Sequence, residues 1–237
     1  MKAKLFLFLS LFVTIQSNAA ADEWDWGVTP YLWAAGINGS VSAGGLNADM
    51  SVDFSDIANV LQGGALLRLE GTSGQNGVFG DLVFLALEEE NAKDTVGGTL
   101  EADLDNLIVE AGYRRSVTDG FAIDVGVRYW DFKTKLTPPL LPIARRSSDW
   151  TDGFIGARFS SSFGDNWQWV LRTNIGAGGS DLAIGVDLDL RRELASGNQF
   201  TVGFRALDID YSDSSGADPI ELETTFSGLT IGYTFNL

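Results

Sequence analysis

The end of the chain sets the period. In residues 227–237 the odd positions Leu229, Ile231, Tyr233, Phe235 and Leu237 are large and apolar, whereas the even positions Gly228, Thr230, Gly232, Thr234 and Asn236 are small or polar. A period of two makes a β-strand with one greasy face and one polar face. The same alternation recurs upstream. Phe121, Ile123, Val125, Val127 and Tyr129 oppose Ala122, Asp124, Gly126, Arg128 and Trp130. Trp167, Trp169, Leu171, Thr173, Ile175 and Ala177 oppose Gln168, Val170, Arg172, Asn174 and Gly176. Leu182, Ile184, Val186, Leu188 and Leu190 oppose Ala183, Gly185, Asp187, Asp189 and Arg191. Shorter runs place Glu110 and Arg114, Arg158, and Arg68 and Glu70 on polar faces.

Which face meets water is the next question. A soluble sandwich buries its apolar faces and puts Lys and Glu in solvent. Here the polar faces carry Gly, Arg and Asp, and Lys after residue 21 is confined to Lys93, Lys133 and Lys135. Small residues beside paired Arg and Asp suit a crowded barrel interior. An apolar strand running to the last residue suits a sheet that closes against its own first strand, because lipid cannot satisfy an open edge. The predicted fold is therefore all-β: a transmembrane antiparallel up-and-down β-barrel.

Turn spacing predicts the strand number. Tight turns fall at 73–77, 117–120, 164–166 and 195–198, and long connections at 37–62, 88–98, 133–148 and 211–219. Strand pairs around the tight turns run near 64–72/77–88, 105–116/120–132, 150–163/167–178 and 181–193/199–211. With 23–36 and 221–237 these make about ten strands, with both termini on the periplasmic side. Residues 38–54 read as an outer hairpin, an inward loop or two further strands, so twelve is the alternative count and eight a lesser one. Residues 55–61 read as one or two helical turns capped by Ser55. Phe79, Phe121, Trp167, Trp169 and Phe200 follow tight turns, and Tyr129, Trp130, Phe132 and Tyr211 precede long ones. They are expected to form two interfacial girdles. Phe121 to Tyr129 spans roughly 26 Å along the strand.

The first residues add an address. Lys2 and Lys4 precede an apolar run from Leu5 to Ile15 and a small-residue site at Ala19 and Ala21. Residues 1–21 are thus expected to be a cleaved signal peptide and 22–237 the barrel. The apolar run is too short to cross a bilayer as a helix.

Composition narrows the chemistry. The chain of 237 residues has no His and no Cys. Ser–His and Asp–His hydrolysis are therefore excluded, as are the usual zinc and redox sites. No carboxylate pair stands out by spacing, so the chain is not expected to be an enzyme, and no cofactor or metal is implied. The net charge of −16 falls to −18 when cleavage removes two lysines, and it excludes nucleic acid as a partner.

The residues expected to line the lumen are Arg68, Arg114, Arg128, Arg158, Arg172, Arg191 and Arg205 with Glu70, Glu110, Asp124, Asp152, Asp187 and Asp189. They form either a packed network of opposite charges or the lining of a selective pore. Acids in the long connections (Glu88, Glu89, Glu90, Asp94, Asp208, Asp210, Asp213, Asp218, Glu221 and Glu223) make a solvated rim or a weak divalent-cation site. The apolar, proline-rich stretch 136–146 is a stiff outer loop or a contact for a partner or lipid headgroups.

Thr29-Pro30-Tyr31-Leu32-Trp33, Gly36-Ile37-Asn38-Gly39, Phe54-Ser55-Asp56-Ile57, Gly126-Val127-Arg128-Tyr129-Trp130-Asp131 and Asp149-Trp150-Thr151-Asp152 resemble a family of proteobacterial outer-membrane β-barrel proteins of uncharacterised function. The resemblance covers nearly the whole mature chain through loose aromatic and Gly patterns. It implies an outer-membrane barrel without catalytic residues. Tyr233, Phe235 and Leu237 stand where such proteins carry the signal read by the barrel-assembly machinery, with Leu in place of a terminal Phe or Trp. The expected partners are that machinery and outer-membrane lipid or lipopolysaccharide, and the expected state is a monomer. The expected function is structural, or a narrow pore for small solutes; the alternative is a surface-exposed binding protein or adhesin acting through its outer loops.

Overall fold

The computed structural model describes residues 24–43, 46–95, 98–137, 144–213 and 220–237. The expected signal peptide and its cleavage site lie outside the described residues. In chain order the elements are β1 (Asp25–Ala43), β2 (Leu46–Val52), α1 (Phe54–Val60), β3 (Leu61–Ser73), β4 (Asn76–Thr95), β5 (Gly98–Thr118), β6 (Phe121–Thr137), β7 (Ala144–Phe163), β8 (Trp167–Gly178), β9 (Leu182–Glu193), β10 (Gln199–Asp213) and β11 (Ile220–Asn236). Strands β3 to β11 each pair antiparallel with the next, β3 pairs with β1, and β11 returns to β1. These ten close the barrel; β2 pairs only with β1 and stands outside the ring.

The closing seam is the longest commitment of the terminal strands. β1 and β11 match from Gly27 opposite Asn236 to Ala43 opposite Ile220. Apart from Thr29 and Pro30, which drop out of the register, the seam pairs backbone with backbone, which lipid could not do. The seam is also tight. A Cβ added at Gly228 would lie 1.8 Å from the Ala34 carbonyl oxygen, so only Gly lets the two backbones come this close.

β1 has two neighbours on its other edge. Its inner part pairs with β3 from Asp25 opposite Thr72 to Pro30 opposite Leu67, and its outer part pairs with β2 from Ile37 to Ala43. The change of partner begins at Pro30, which has no amide hydrogen to continue the ladder. Residues 38–54 thus form an outer hairpin rather than two more barrel strands. α1 packs against β1 and β4 and buries Ile57. Its first turn closes on the Asp53 carbonyl, which accepts from the Asp56 and Ile57 amides. Ser55 lies inside the helix and is not its cap, contrary to the sequence expectation.

The long connections also differ from expectation. β4 and β5 pair out to Thr95 opposite Gly98, with a register shift between Glu89 and Lys93, and β6 and β7 to Leu136 opposite Ala144. Glu88 to Thr95 is therefore strand, adding roughly 26 Å of extended chain beyond the apolar band. Antiparallel partners keep their ladders outside the membrane because the alternation that orders them needs no lipid. Most of the proline-rich stretch, 138–143, lies outside the described residues.

The outward face is the apolar one. Leu32 and Leu229 are 68% and 65% exposed, and Val125, Val127, Ile155, Ile175, Leu188, Val202, Phe204 and Ile231 are exposed with them. On a soluble protein this would be an aggregation surface; in a bilayer it is the solvent-facing surface. At the end of the tight turns an aromatic belt forms. Trp24 stacks on Trp26 at 5.6 Å, Phe121 meets Phe159 at 5.0 Å, and Tyr233 meets Phe235 edge-on at 4.9 Å. The second expected girdle is not built as predicted. Trp130, Phe132 and Tyr211 stack inside the barrel, and Phe79 is buried in the lumen instead of joining the first belt.

A lysine on the lipid face is expected to cost by depth. Val125→Lys should destabilise the folded barrel by about 2–4 kcal/mol, whereas Val117→Lys, beside a tight turn, should cost about 0–1 kcal/mol. Equilibrium unfolding in lipid measures both, and equal costs would show that the band is misplaced. Gly228→Ala is expected to cost about 1–3 kcal/mol through overpacking at the seam. Its measure is the unfolding midpoint of the heat-modifiable species on gels, which should fall below the parent's.

Candidate functional site: the charged lumen

The even-numbered face of β6 and β8 and the odd-numbered face of β9 and β10 turn inward, so their lone Arg and Asp residues converge on a narrow interior. The centre of the arrangement is Glu110 on β5. One oxygen accepts from Arg128 Nε at 3.0 Å and from Arg205 Nη2 at 3.4 Å, with Arg128 Nη2 2.9 Å away as an ion-pair contact; the other accepts from Arg172 Nη2 at 2.7 Å. Three guanidinium groups from β6, β8 and β10 are thus held on one carboxylate.

From Glu110 the network runs both ways round the wall. Asp124 takes Arg114 through Nε at 2.8 Å and Nη2 at 3.0 Å, a two-pronged pairing, and faces Arg172 Nε at 3.4 Å. Asp81 takes Arg68 Nε at 2.9 Å and Arg205 Nη1 at 3.2 Å, and accepts from the Tyr31 hydroxyl at 2.7 Å. Arg68 also reaches Asp187 and Asp189, each at 3.3 Å. Arg191 bridges Asp189 and Glu70, both at 3.2 Å, and Glu70 receives Arg114 at 2.9 Å. Arg128 and Asp124 are 0% exposed. So many charges persist in a low-dielectric interior because nearly every one meets an opposite charge and further hydrogen bonds.

Aromatic rings fill the space between the charges. Phe79 lies under Arg172 at 4.5 Å and Arg114 at 5.1 Å, and Arg128 lies over Phe154 at 5.3 Å and Trp130 at 5.4 Å. The lumen glycines make room for these rings: a Cβ at Gly112 would fall 2.4 Å from Phe79, and one at Gly126 2.6 Å from Phe154.

Toward the outer end the interior becomes apolar. Trp33, Val83, Ile108, Trp130, Trp150, Leu207 and Ile209 form a buried cluster, with Phe132, Tyr211 and Phe226 against it. Trp150 stacks on Tyr211 at 4.2 Å and on Phe132 at 5.5 Å. Two cavities of about 20 and 10 Å³ lie beside Arg68 and Arg191, room for a water molecule or two.

All thirteen residues expected to line the lumen have their side chains buried or half-buried. Eleven are joined by ion pairs; two are not. Asp152 is 0% exposed and sits across from Arg128 in register, yet its carboxylate takes neutral donors: the Trp130 indole at 2.7 Å and the Ser180 amide and hydroxyl, each at 2.8 Å. Among the described residues Arg158 hydrogen-bonds the Ser160 hydroxyl alone, at 3.5 Å. The alternation missed Tyr31 and Asp81; Asn174, on the polar face with Arg172, was not singled out, yet it accepts from Arg128 Nη2 at 2.7 Å. In β4 both faces are largely apolar, so alternation hides Asp81. Its signal is that it stands as a lone acid within Val78–Leu87, where an unpaired charge would be costly.

Of the expected rim acids, Asp208, Asp210, Glu221 and Glu223 are exposed on the outside of β10 and β11. The side chains of Glu88, Glu89, Glu90, Asp94, Asp213 and Asp218 lie outside those described. Among the described residues no three acids are placed to hold a metal ion.

The lattice is expected to be unequal in its parts. Glu110→Gln takes the shared anion from three buried arginines and should cost about 3–5 kcal/mol. Arg128→Ala leaves Glu110 two partners and should cost less. Arg158→Ala, with no ion pair to lose among the described residues, should change stability by under about 1 kcal/mol. Unfolding midpoints of the three variants check the order, and a costly Arg158→Ala would contradict it.

No family model and no curated protein sequence matches the chain. Among solved structures it is similar to the outer membrane protease OmpT of Escherichia coli, over 95% of this chain and 99% of that one, at 8% identity and a TM-score of 0.52. It also aligns with the attachment invasion locus protein Ail of Yersinia pestis, over 90% and 98% of the two chains, at 14% identity and a TM-score of 0.44. The translocator domain of the autotransporter NalP from Neisseria meningitidis aligns over 93% and 90%, at 13% identity and a TM-score of 0.38. At such identities the likeness to OmpT is one of fold. With its closed ring, apolar outer face and charged interior, the chain has the fold of an outer-membrane β-barrel.

Proposed function

We propose that this barrel is a closed scaffold: it anchors the chain in the outer membrane, conducts no solutes at rest, and presents its outward hairpins as a binding surface. The observation that carries this reading is the filling of the lumen at two successive levels. The ion-pair lattice around Glu110 occupies the middle, and the stack of Trp130, Trp150, Phe132 and Tyr211 occupies the outer end. A pore needs a continuous wet path, and cavities of about 20 and 10 Å³ do not make one. Ten strands leave little free lumen in any case, whereas open porins use about 16–18 strands.

The outward side supports the second half of the proposal. β1 with β2, β4 with β5, and β6 with β7 continue as paired ribbons past the lipid-facing band. Paired ribbons, β1 with β2 and β6 with β7 without a break, hold the backbone in register, which a contact surface requires and a solvated loop lacks. No catalytic role is assigned to the lumen: its carboxylates are held by arginines, tyrosine or neutral donors, and the sequence has no histidine. Assembly would proceed through β11, whose Tyr233 and Phe235 face the membrane at the tight-turn end and whose Leu237 is 81% exposed. That placement suits a signal read before β11 closes on β1.

Planar-bilayer recording tests the closed state. The parent protein is expected to insert without discrete channel steps, and Arg128→Ala to produce small ones, because it removes bulk from the middle layer. Steady single-channel currents from the parent would overturn the scaffold reading in favour of a pore.

A further inference from the structure

Where the ribbons leave the ring, sheet edges meet water, and that of β2 stands apart in its charge. β2 pairs with β1 alone, and no other strand of the described residues lies along its far side. In an antiparallel ladder successive residues aim their N–H and C=O groups to opposite edges. About half of the residues of β2 therefore present these groups away from β1. α1, which follows, packs against β1 and β4. Such an edge is a template for one more strand.

The surroundings of the edge say what kind of strand fits. Register joins β10, β11, β1 and β2 into one sheet at the outer end. Asp210 lies opposite Glu223, Glu223 opposite Ser40, and Ser40 opposite Asp49. Residues opposite one another share a face, and this is the outward face. Asp208, Asp210, Glu221, Glu223 and Asp49 are exposed on it, and Asp53 and Asp56, just past β2, are exposed beside it. Asp210 and Glu223 are like charges directly opposed, an arrangement that costs stability. The sequence places no Lys or Arg from Leu5 to Leu67 and none after Arg205, so these four strands bring no cation of their own to the outer end beyond the lumen's Arg205. The remaining outward ribbons differ: β4, β6 and β7 carry Lys93, Lys133, Lys135, Arg145 and Arg146 there. The anionic field is thus uncompensated on the side where the edge of β2 is free.

We propose that this edge takes up an extended basic segment of another polypeptide as an added strand. Lys or Arg at every second position of that segment would all fall on the outward face, one of them directly beside Asp49. The acids on β10 and β11 set the sign of the field that steers such a segment to the edge. A row of free amides and carbonyls is matched by another backbone, not by a lipid headgroup or a metal ion. The inference rests on the outward hairpins being a binding surface, and it names the partner. Conductance reads the closed lumen and peptide binding reads the edge, so the two readings fail separately.

The probe is a fluorescent peptide of alternating Lys and Thr, as long as β2, titrated against the full barrel in detergent at low salt and followed by anisotropy. Saturable binding is expected. Asp49→Lys should weaken it by about fivefold or more, because an attraction at the edge becomes a repulsion. The same peptide with its backbone nitrogens methylated keeps every charge but has no amide hydrogens, and it is expected not to bind. A Glu–Thr counterpart is expected not to bind either. Equal binding of the methylated peptide would assign the affinity to charge alone and overturn the strand edge. Equal binding of the Glu–Thr peptide would sink the argument from charge, and no binding of the Lys–Thr peptide would end the proposal. Self-association of the barrel that Asp49→Lys abolishes would give the edge to a second copy of this chain instead. Should Asp49→Lys fail to fold, the methylated and acidic peptides decide the matter on the parent.

Discussion

Everything in this barrel follows from the absence of a hydrogen-bonding solvent around it. A strand edge left open in lipid strands a row of amides and carbonyls, each costing several kcal/mol. The sheet must therefore return on itself, and the register of β1 with β11, tight enough to exclude any side chain at Gly228, is how it does so. Closure at ten strands then fixes the interior as narrow. A narrow interior fed by alternate residues of ten strands is filled by its own side chains. The open question for such a chain is which side chains can share that space.

The solution has two layers with different physics. In the middle, charge is packed against charge: Glu110 collects three arginines, and Asp124, Asp81, Asp187, Asp189 and Glu70 extend the lattice around the wall. Guanidinium groups lie over the Phe79 and Phe154 rings, so Arg114, Arg128 and Arg172 each meet carboxylate and an aromatic face. Toward the outside the filling is apolar, and the aromatic residues around Trp130 and Trp150 pack as they would in a soluble core. Asp152 joins the layers. It holds the Trp130 indole from one side and ties down the short β8–β9 connection through Ser180.

The outer end also shows how a closed barrel gains surface. Past Pro30 the edge of β1 is free of β3, and β2 takes its place outside the ring. β4 to β7 extend beyond the band as ribbons. The membrane-embedded part is thus specified by lipid and by charge pairing, while the exposed part is released from both constraints and free to carry recognition.

Period two, read along Ser227–Leu237 and its upstream repeats, determined by itself that this is a strand protein with one apolar and one polar face. Tight turns pointed to about ten strands and left twelve open through residues 38–54, until the pairing of β2 with β1 alone placed it outside the ring; the Arg and Asp on the polar faces indicated which residues turn inward. Those features are local, since a strand's face depends only on its own alternation. What only the tertiary structure decided was pairing across the lumen. Glu110 meets Arg172 62 positions away and Arg205 95 away, and no spacing along the chain encodes such distances once the sheet has curled. The same holds for Asp81, hidden in a strand apolar on both faces, and for Trp130, Phe132 and Tyr211, whose aromatic character suited a girdle as well as a plug. Whether an aromatic side chain faces lipid headgroups or the barrel interior depends on the pleat and on what stands opposite. Likewise Arg158 reads like the other lumen arginines in sequence; only the closed ring shows that its neighbours' carboxylates are already taken.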